Sequence, residues 1–155
     1  MAQTNIMNTI SKATELLGIA IGRPQMPEGA TRGGAAIKLV ETIRAGFPVE
    51  SIQRMVDSGR LNAVEVDRVI LPRKTLANRK KHGALTADQS DRLLRVARVI
   101  AAAEETFGDA DKAHVWLRRP TTALDGETPL DLLDTEEGAR AVEALLVRIA
   151  HGVAA

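Results

Sequence analysis

Residues 61–83 read LNAVEVDRVILPRKTLANRKKHG, and this stretch decides the fold class. Its first half, 61–71, carries apolar side chains at helical spacing, with Asn62 as a candidate N-cap. Pro72 marks a turn or a first helical position, and a second helix follows from Arg73 and ends at Gly83. Two short helices joined by a tight turn are the length pattern of a helix-turn-helix.

The second helix, 73–82, is basic, since it holds five Lys or Arg residues and no acid. Leu76 and Ala77 are predicted to face inward, against the apolar side of the first helix. Arg and Lys can donate to guanine, Asn can pair with adenine, and Thr or Lys can hold phosphates. The side chains predicted to face outward suit such contacts: Lys74, Thr75, Asn78, Arg79 and Lys81.

A basic run alone more often belongs to a solvated surface helix. The preceding helix and the tight turn favour a DNA-binding helix instead. The turn departs from the usual motif, which has a Gly near its start and a small residue four positions earlier. Ile70 and Val66 hold those two places, so a somewhat different turn geometry is predicted.

Composition limits the classes of protein to consider. The chain has 155 residues, 45% apolar and 2% aromatic, which favours an all-α fold with an aliphatic core. The absence of cysteine excludes disulfides and Cys-based metal sites, and fits a reducing cytoplasm. No signal-peptide pattern is present, and no apolar run approaches the roughly 18 residues of a membrane span, so we expect a soluble, cytoplasmic protein.

Charge divides the chain into unlike halves. Residues 36–100 hold thirteen basic and seven acidic side chains, whereas residues 101–155 hold five basic and eleven acidic ones. This asymmetry indicates two partners, or one module that screens the other.

The remaining segments also read as helices and loops. Residues 1–35 are interpreted as a loose N-terminal arm, with a short helix at 6–21 and a flexible Gly- and Pro-rich linker at 22–35. Thr86 and Gln89 have the spacing of a capping box for a long helix, 87–107. Other helices are predicted from Ile37, from Val49, around Val115 to Leu117 and after Thr135.

From about residue 36 to its end, the chain resembles the Xre/MbcA/ParS family of type II antitoxins, the partners of RES-domain toxins. The resemblance rests on several motifs that occur in one order. They are RKTLANRKKHGALT, SDRLLRVARV, FGD, WL, PLDLLDT and the closing RIAHGV.

The resemblance implies a helix-turn-helix domain at 36–102 that represses its own operon, and a toxin-binding domain at 103–155. The implied toxin depletes NAD and is neutralised at the entrance of its active site, within homodimeric or larger complexes. The implied DNA-binding residues are Arg73, Lys74, Thr75, Asn78, Arg79 and Lys81. The implied toxin-binding residues are Trp116, Leu117, Leu124, Pro129, Arg148, Gly152, Val153, Ala154 and Ala155.

Other chemistry has little support in the sequence. His82, His114 and His151 are far apart and lack metal-ligand spacing, and no catalytic triad or phosphate loop occurs. We therefore expect no enzyme activity, no metal and no cofactor. Trp116 suits a core anchor as well as an interface. Two alternatives to an antitoxin stay open: a helix-turn-helix regulator whose acidic module only dimerises, and a helical adaptor that does not bind DNA.

Overall fold

The computed structural model describes residues 2–21 and 33–153. Their helices are α1 (Ala2–Leu16), α2 (Gly33–Ala45), α3 (Glu50–Asp57), α4 (Ala63–Val69), α5 (Arg73–His82), α6 (Ala87–Phe107), α7 (Ala110–Leu117) and α8 (Glu136–Ala150). Two 3-10 turns, Thr122–Leu124 and Asp131–Asp134, lie between α7 and α8. No strand occurs among these residues, and the predicted all-α class is confirmed.

The long helix α6 lies at the centre of the molecule. It packs against α1, α2, α7 and α8. Thr86 caps its first turn with a capping box to Gln89, as predicted, and Gly108 ends it in the left-handed region at φ 62°. Its second half is buried on nearly all sides, because helices from both ends of the chain cover it.

The N-terminal helix is not the loose arm that the sequence predicts. Ala13 and Leu17 are buried in the common core, and α1 packs against α6. Only the second half of α1 contributes to this core, since Ile6 is exposed. Residues 22–32, most of the predicted linker, lie outside the described residues, and residues 33–35 begin α2.

Only some of the apolar residues of α2 face the core. Leu39 and Ile43 pack against the core, whereas Ile37 and Val40 are exposed. Leu39 and Ile43 are four residues apart and so share one face of the helix. The neighbouring apolar residues made the choice of face ambiguous in the sequence.

Two hydrogen bonds of Phe47, just before α3, connect this part of the chain to the start of α6. Phe47 is fully buried, and its N–H donates to Ser90 Oγ at 2.8 Å while its carbonyl accepts from the N–H of Leu85 at 2.9 Å. Gly46 makes this approach possible, because at its φ of 89° a Cβ would lie 2.2 Å from the Leu85 carbonyl oxygen. The end of α5 is thereby held close to the start of α3.

The last helix closes the core. Val142, Leu145 and Leu146 are buried as predicted, and α8 packs against α6. Thr135 caps α8 by accepting a hydrogen bond from the N–H of Gly138 at 3.0 Å.

Candidate nucleic-acid interface

The first helix of the predicted helix-turn-helix, α4, is firmly anchored. The Asn62 side chain accepts from the N–H groups of Val64 and Glu65, and the Glu65 carboxylate accepts from the Asn62 N–H at 2.9 Å. This capping box satisfies the backbone donors that begin the helix. Val66 and Val69, together with Ile70 in the turn, are buried as predicted.

Glu65 also connects α4 to the C-terminal part of the chain. Its side chain is nearly buried, and the Arg118 guanidinium donates two hydrogen bonds of 2.7 and 2.8 Å to its carboxylate. Arg118 donates a further bond to the Arg60 carbonyl at 3.0 Å. Arg68 pairs with Asp131 beside this contact. These pairs could not be predicted from the sequence, because their members are more than fifty residues apart and no local spacing reveals them.

The second helix, α5, begins after Pro72, and the free N–H of Arg73 donates to the Asp67 carboxylate of α4. Gly83 ends it in the left-handed region at φ 78°, as predicted. None of its side chains is buried. Leu76 is half-buried against the core, so a single large apolar side chain docks this helix.

The exposed side of α5 differs from the predicted one. Lys74, Asn78 and Lys81 are exposed as predicted. Ala77 is also exposed, so the prediction that it faces inward is wrong. Thr75 and Arg79 are half-buried beside Leu76 instead of facing outward, and Arg79 Nε is buried without an acceptor among the described residues. Leu76 determines this phase, because it is the largest apolar side chain of the helix.

The cations of α5 contrast with most of the arginines from α6 onward. Within the described residues, none of its five Lys and Arg side chains forms an ion pair. Arginines of α6 to α8 pair with nearby carboxylates: Arg92, Arg95, Arg98, Arg118 and Arg140. Four of the five Lys and Arg side chains of α5, all but Arg79, are exposed.

The predicted toxin-binding residues fall into two groups. Leu117 and Pro129 are buried, so their side chains do not face outward in this structure, and their contact with a toxin stays a prediction. Trp116 and Leu124 are half-buried and pack against the core, and the Trp116 ring lies 5.4 Å from that of Phe107. These side chains shape the C-terminal module from within, and Trp116 keeps part of its surface open.

The end of α8 is where the predicted contacts are accessible. Arg148, Gly152 and Val153 are exposed, while Ala154 and Ala155 lie outside the described residues. The N–H of Val153 donates to the Arg148 carbonyl at 2.9 Å, which holds the chain against the end of the helix.

Two further apolar side chains are exposed in this module and were not predicted as contacts. They are Val115, at 63% exposure, and Val147, at 55%. Val147 falls between Leu146 and Ile149, off the buried stripe of α8. That position could have been recognised in the sequence as an apolar residue on a polar face.

Ion pairs join α8 to α6. Arg98 Nε lies 2.6 Å from Glu143 Oε1, and Arg95 Nε lies 2.9 Å from Glu136 Oε2. Partial burial by itself raises the pKa of Glu136, but Arg98, Arg95 and Arg140 outweigh this and leave the pKa below its ordinary value. Glu136, in the first turn of α8, therefore binds this helix to α6.

The described residues contain no group of His, Cys, Asp and Glu side chains that could hold a metal ion. Two of the histidines bond to their own helices: His82 Nδ1 lies 3.0 Å from the Asn78 carbonyl oxygen, and His151 Nδ1 lies 2.7 Å from that of Val147. Among the same residues, no helix is long and apolar enough to cross a membrane.

Two family models match the chain in succession. Residues 38–98 match the antitoxin Xre-like helix-turn-helix domain, and residues 102–152 match the antitoxin Xre/MbcA/ParS C-terminal toxin-binding domain. The first match contains α4 and α5, and the second contains α7 and α8. Their junction falls inside α6, so one continuous helix belongs to both modules. These matches define an antitoxin with a helix-turn-helix domain.

Characterised relatives agree with the models. Antitoxin Xre of Yersinia enterocolitica is 35% identical over 94% of this chain and 95% of its own length. Antitoxin Xre of Pseudomonas putida is 40% identical over 71% of this chain and 69% of its own length. The Prs ADP-ribosylating antitoxin of Sphingobium is 29% identical over 84% of this chain and 89% of its own length. The chain belongs to the Xre/MbcA/ParS family of antitoxins, whose C-terminal domain binds a toxin.

Proposed function

We propose that the chain neutralises a RES-domain, NAD-depleting toxin by covering its active-site entrance, and represses its own operon through α5. The C-terminal module supplies the toxin contact and the helix-turn-helix supplies the operator contact. A homodimer would place two copies of α5 on successive major grooves, and the toxin would join this assembly in a larger complex. No enzyme activity of the chain itself is needed for either role.

The exposed, unpaired cations of α5 carry the DNA-binding part of the proposal. An exposed Lys or Arg gains little from a carboxylate in water, but a row of them gains from phosphates by releasing counterions. Lys74 and Lys81 are exposed one turn either side of Asn78. A helix of this kind, set against an anchored α4, suits the second position of a helix-turn-helix in a major groove.

The exposed end of α8 supports the toxin contact. Val147 and Val153 are 55% and 54% exposed, and Arg148 is exposed between them in sequence. Apolar side chains around an arginine are the composition of an interface centre. The name of the Sphingobium relative refers to ADP-ribosylation, a reaction that draws on NAD, and this is in keeping with an NAD-directed toxin.

Co-expression with the product of the adjacent gene tests both parts, with growth, cellular NAD and operator binding as read-outs. Omitting the chain should deplete NAD, and supplying it should preserve NAD and yield a stable complex. Val147→Asp should abolish protection while operator binding persists. The double variant Lys74→Ala, Lys81→Ala should abolish operator binding while protection persists.

Ala144→Asp is the matched control, since Ala144 is an exposed residue of the same helix. It should preserve both activities. Deleting residues 148–155 should abolish protection as Val147→Asp does. Full protection by both altered chains would contradict the assignment of the α8 end, and unchanged operator binding by the lysine variant would contradict that of α5.

A further inference from the structure

Ala77 occupies an unexpected place on α5. It lies three residues after Lys74 and four before Lys81, and these spacings bring all three onto one side of a helix. All three are exposed, as is Asn78. The half-buried side chains Leu76 and Arg79 lie on the other side. A methyl group is therefore presented near the middle of the outward face, between two cations.

The chemistry of this face changes from its ends to its centre. The lysines at either end have the reach and charge to hold phosphates on the two walls of a groove. Between them, Ala77 offers a small apolar surface and Asn78 offers an amide. In the major groove, only thymine presents a methyl group, and adenine presents N7 and N6 to an amide in a two-bond pairing.

We propose that Ala77 and Asn78 read neighbouring A·T base pairs in the major groove, with Ala77 packed on a thymine 5-methyl group and Asn78 paired with adenine. This inference rests on the proposed DNA-binding function and names its sequence specificity. The short Ala77 side chain lets the helix approach the base edges closely. The half-buried Arg79 lies away from the centre of the face that would enter the groove.

The test begins with selection of bound duplexes from a random library by the full-length protein. Each thymine in the selected site is then replaced singly by deoxyuridine, which removes only the 5-methyl group. One replacement should weaken binding about fourfold, the effect of exposing one buried methyl group. Ala77→Gly should bind the thymine-containing duplex about fourfold more weakly than wild type. Its affinity should not change further when the thymine at that position is replaced by deoxyuridine.

The comparison of thymine and deoxyuridine within each protein cancels any general effect of glycine on helix stability. Ala141→Gly, at an exposed position of α8, should keep the wild-type sensitivity. Replacing adenine by 7-deazaadenine should weaken wild-type binding about tenfold at one position, and this loss should vanish in Asn78→Ala.

The possible failures are distinguishable. If no sequence is enriched, the proposed DNA-binding function fails and this inference fails with it. If a site is enriched but every deoxyuridine is tolerated, or if Ala77→Gly stays as sensitive as wild type, DNA binding stands and the role of Ala77 is overturned. A selected core without A·T pairs at its conserved positions overturns both base assignments.

Discussion

The two helices of the helix-turn-helix are held in opposite ways. In α4, three of seven residues are buried, and one of them, Glu65, is bound by the helix start and by Arg118. In α5, none of ten residues is buried, and its cations form no ion pair within the described part of the chain. The fold fixes α4 through buried and ion-paired side chains, whereas the cations of α5 stay without such contacts within the described residues.

The comparison extends to the two family domains. The anchor of α4 comes from the toxin-binding module, through Arg118 after α7 and Asp131 in the second 3-10 turn. The same modules share α6. The helix that positions α5 is therefore built partly from C-terminal residues, and the helix-turn-helix is not an independently anchored unit.

Arg118→Ala should produce the largest loss of stability. It leaves the Glu65 carboxylate nearly buried without its guanidinium, and breaking a buried pair costs about 3 kcal/mol or more. We expect the free energy of unfolding, measured by urea titration, to fall by about that amount. Arg119→Ala is the control, because Arg119 is the exposed neighbour, and should change stability by less than about 0.5 kcal/mol. Equal midpoints for both variants would show that the pair does not anchor α4.

Asn62→Ala should have a smaller effect on the same helix. It removes an acceptor used by two backbone N–H groups, and loss of such a cap costs about 1 kcal/mol. Thr86→Ala removes the corresponding cap of α6 and should lose a similar amount. Urea titration of both variants checks this. A loss at Thr86 without one at Asn62 would mean that α4 is held by Arg118 and its apolar contacts alone.

These cases show what the sequence could predict. The caps at Asn62 and Thr86 were predictable, because a cap and its partner lie within three residues. The pair of Glu65 and Arg118 was not, because it depends on how distant helices fold together. Ala77 was misplaced for a third reason: α5 has few apolar residues, so adjacent Leu76 and Ala77 define its inner face poorly until packing selects the larger one. The motifs identified the family, but not which of Leu117 and Trp116 is buried.

Lysine substitutions on α5 should affect DNA binding and leave stability almost unchanged. Lys74→Ala and Lys81→Ala should each change the free energy of unfolding by less than about 0.5 kcal/mol, since both residues are exposed. Each should reduce the slope of log affinity for DNA against log salt by about 0.9, one phosphate contact. Fluorescence anisotropy across a salt series measures the slope. Lys112→Ala, on an exposed position of α7, should leave it unchanged, and a slope unaffected by all three would remove α5 from the interface.

The smallest expected effect concerns the pairs between α6 and α8. Glu136 has a pKa below its ordinary value of 4.5 because Arg98, Arg95 and Arg140 outweigh its burial. A carboxyl group whose pKa is lowered by folding stabilises the native state above its unfolded value, and this contribution is lost as pH falls through both values. Wild type should therefore lose stability on acidification below about pH 5 slightly more steeply than Glu136→Gln does.

Urea midpoints between pH 7 and pH 3 measure this difference, and Glu137 provides the control. The Glu137 side chain is 85% exposed, against 42% for Glu136, although both are in the first turn of α8. Glu137→Gln should follow the wild-type profile. If Glu136→Gln does so too, the arginines of α6 bind α8 through Glu143 alone. Such a result would assign the ionic contact between α6 and α8 to the pair of Arg98 and Glu143.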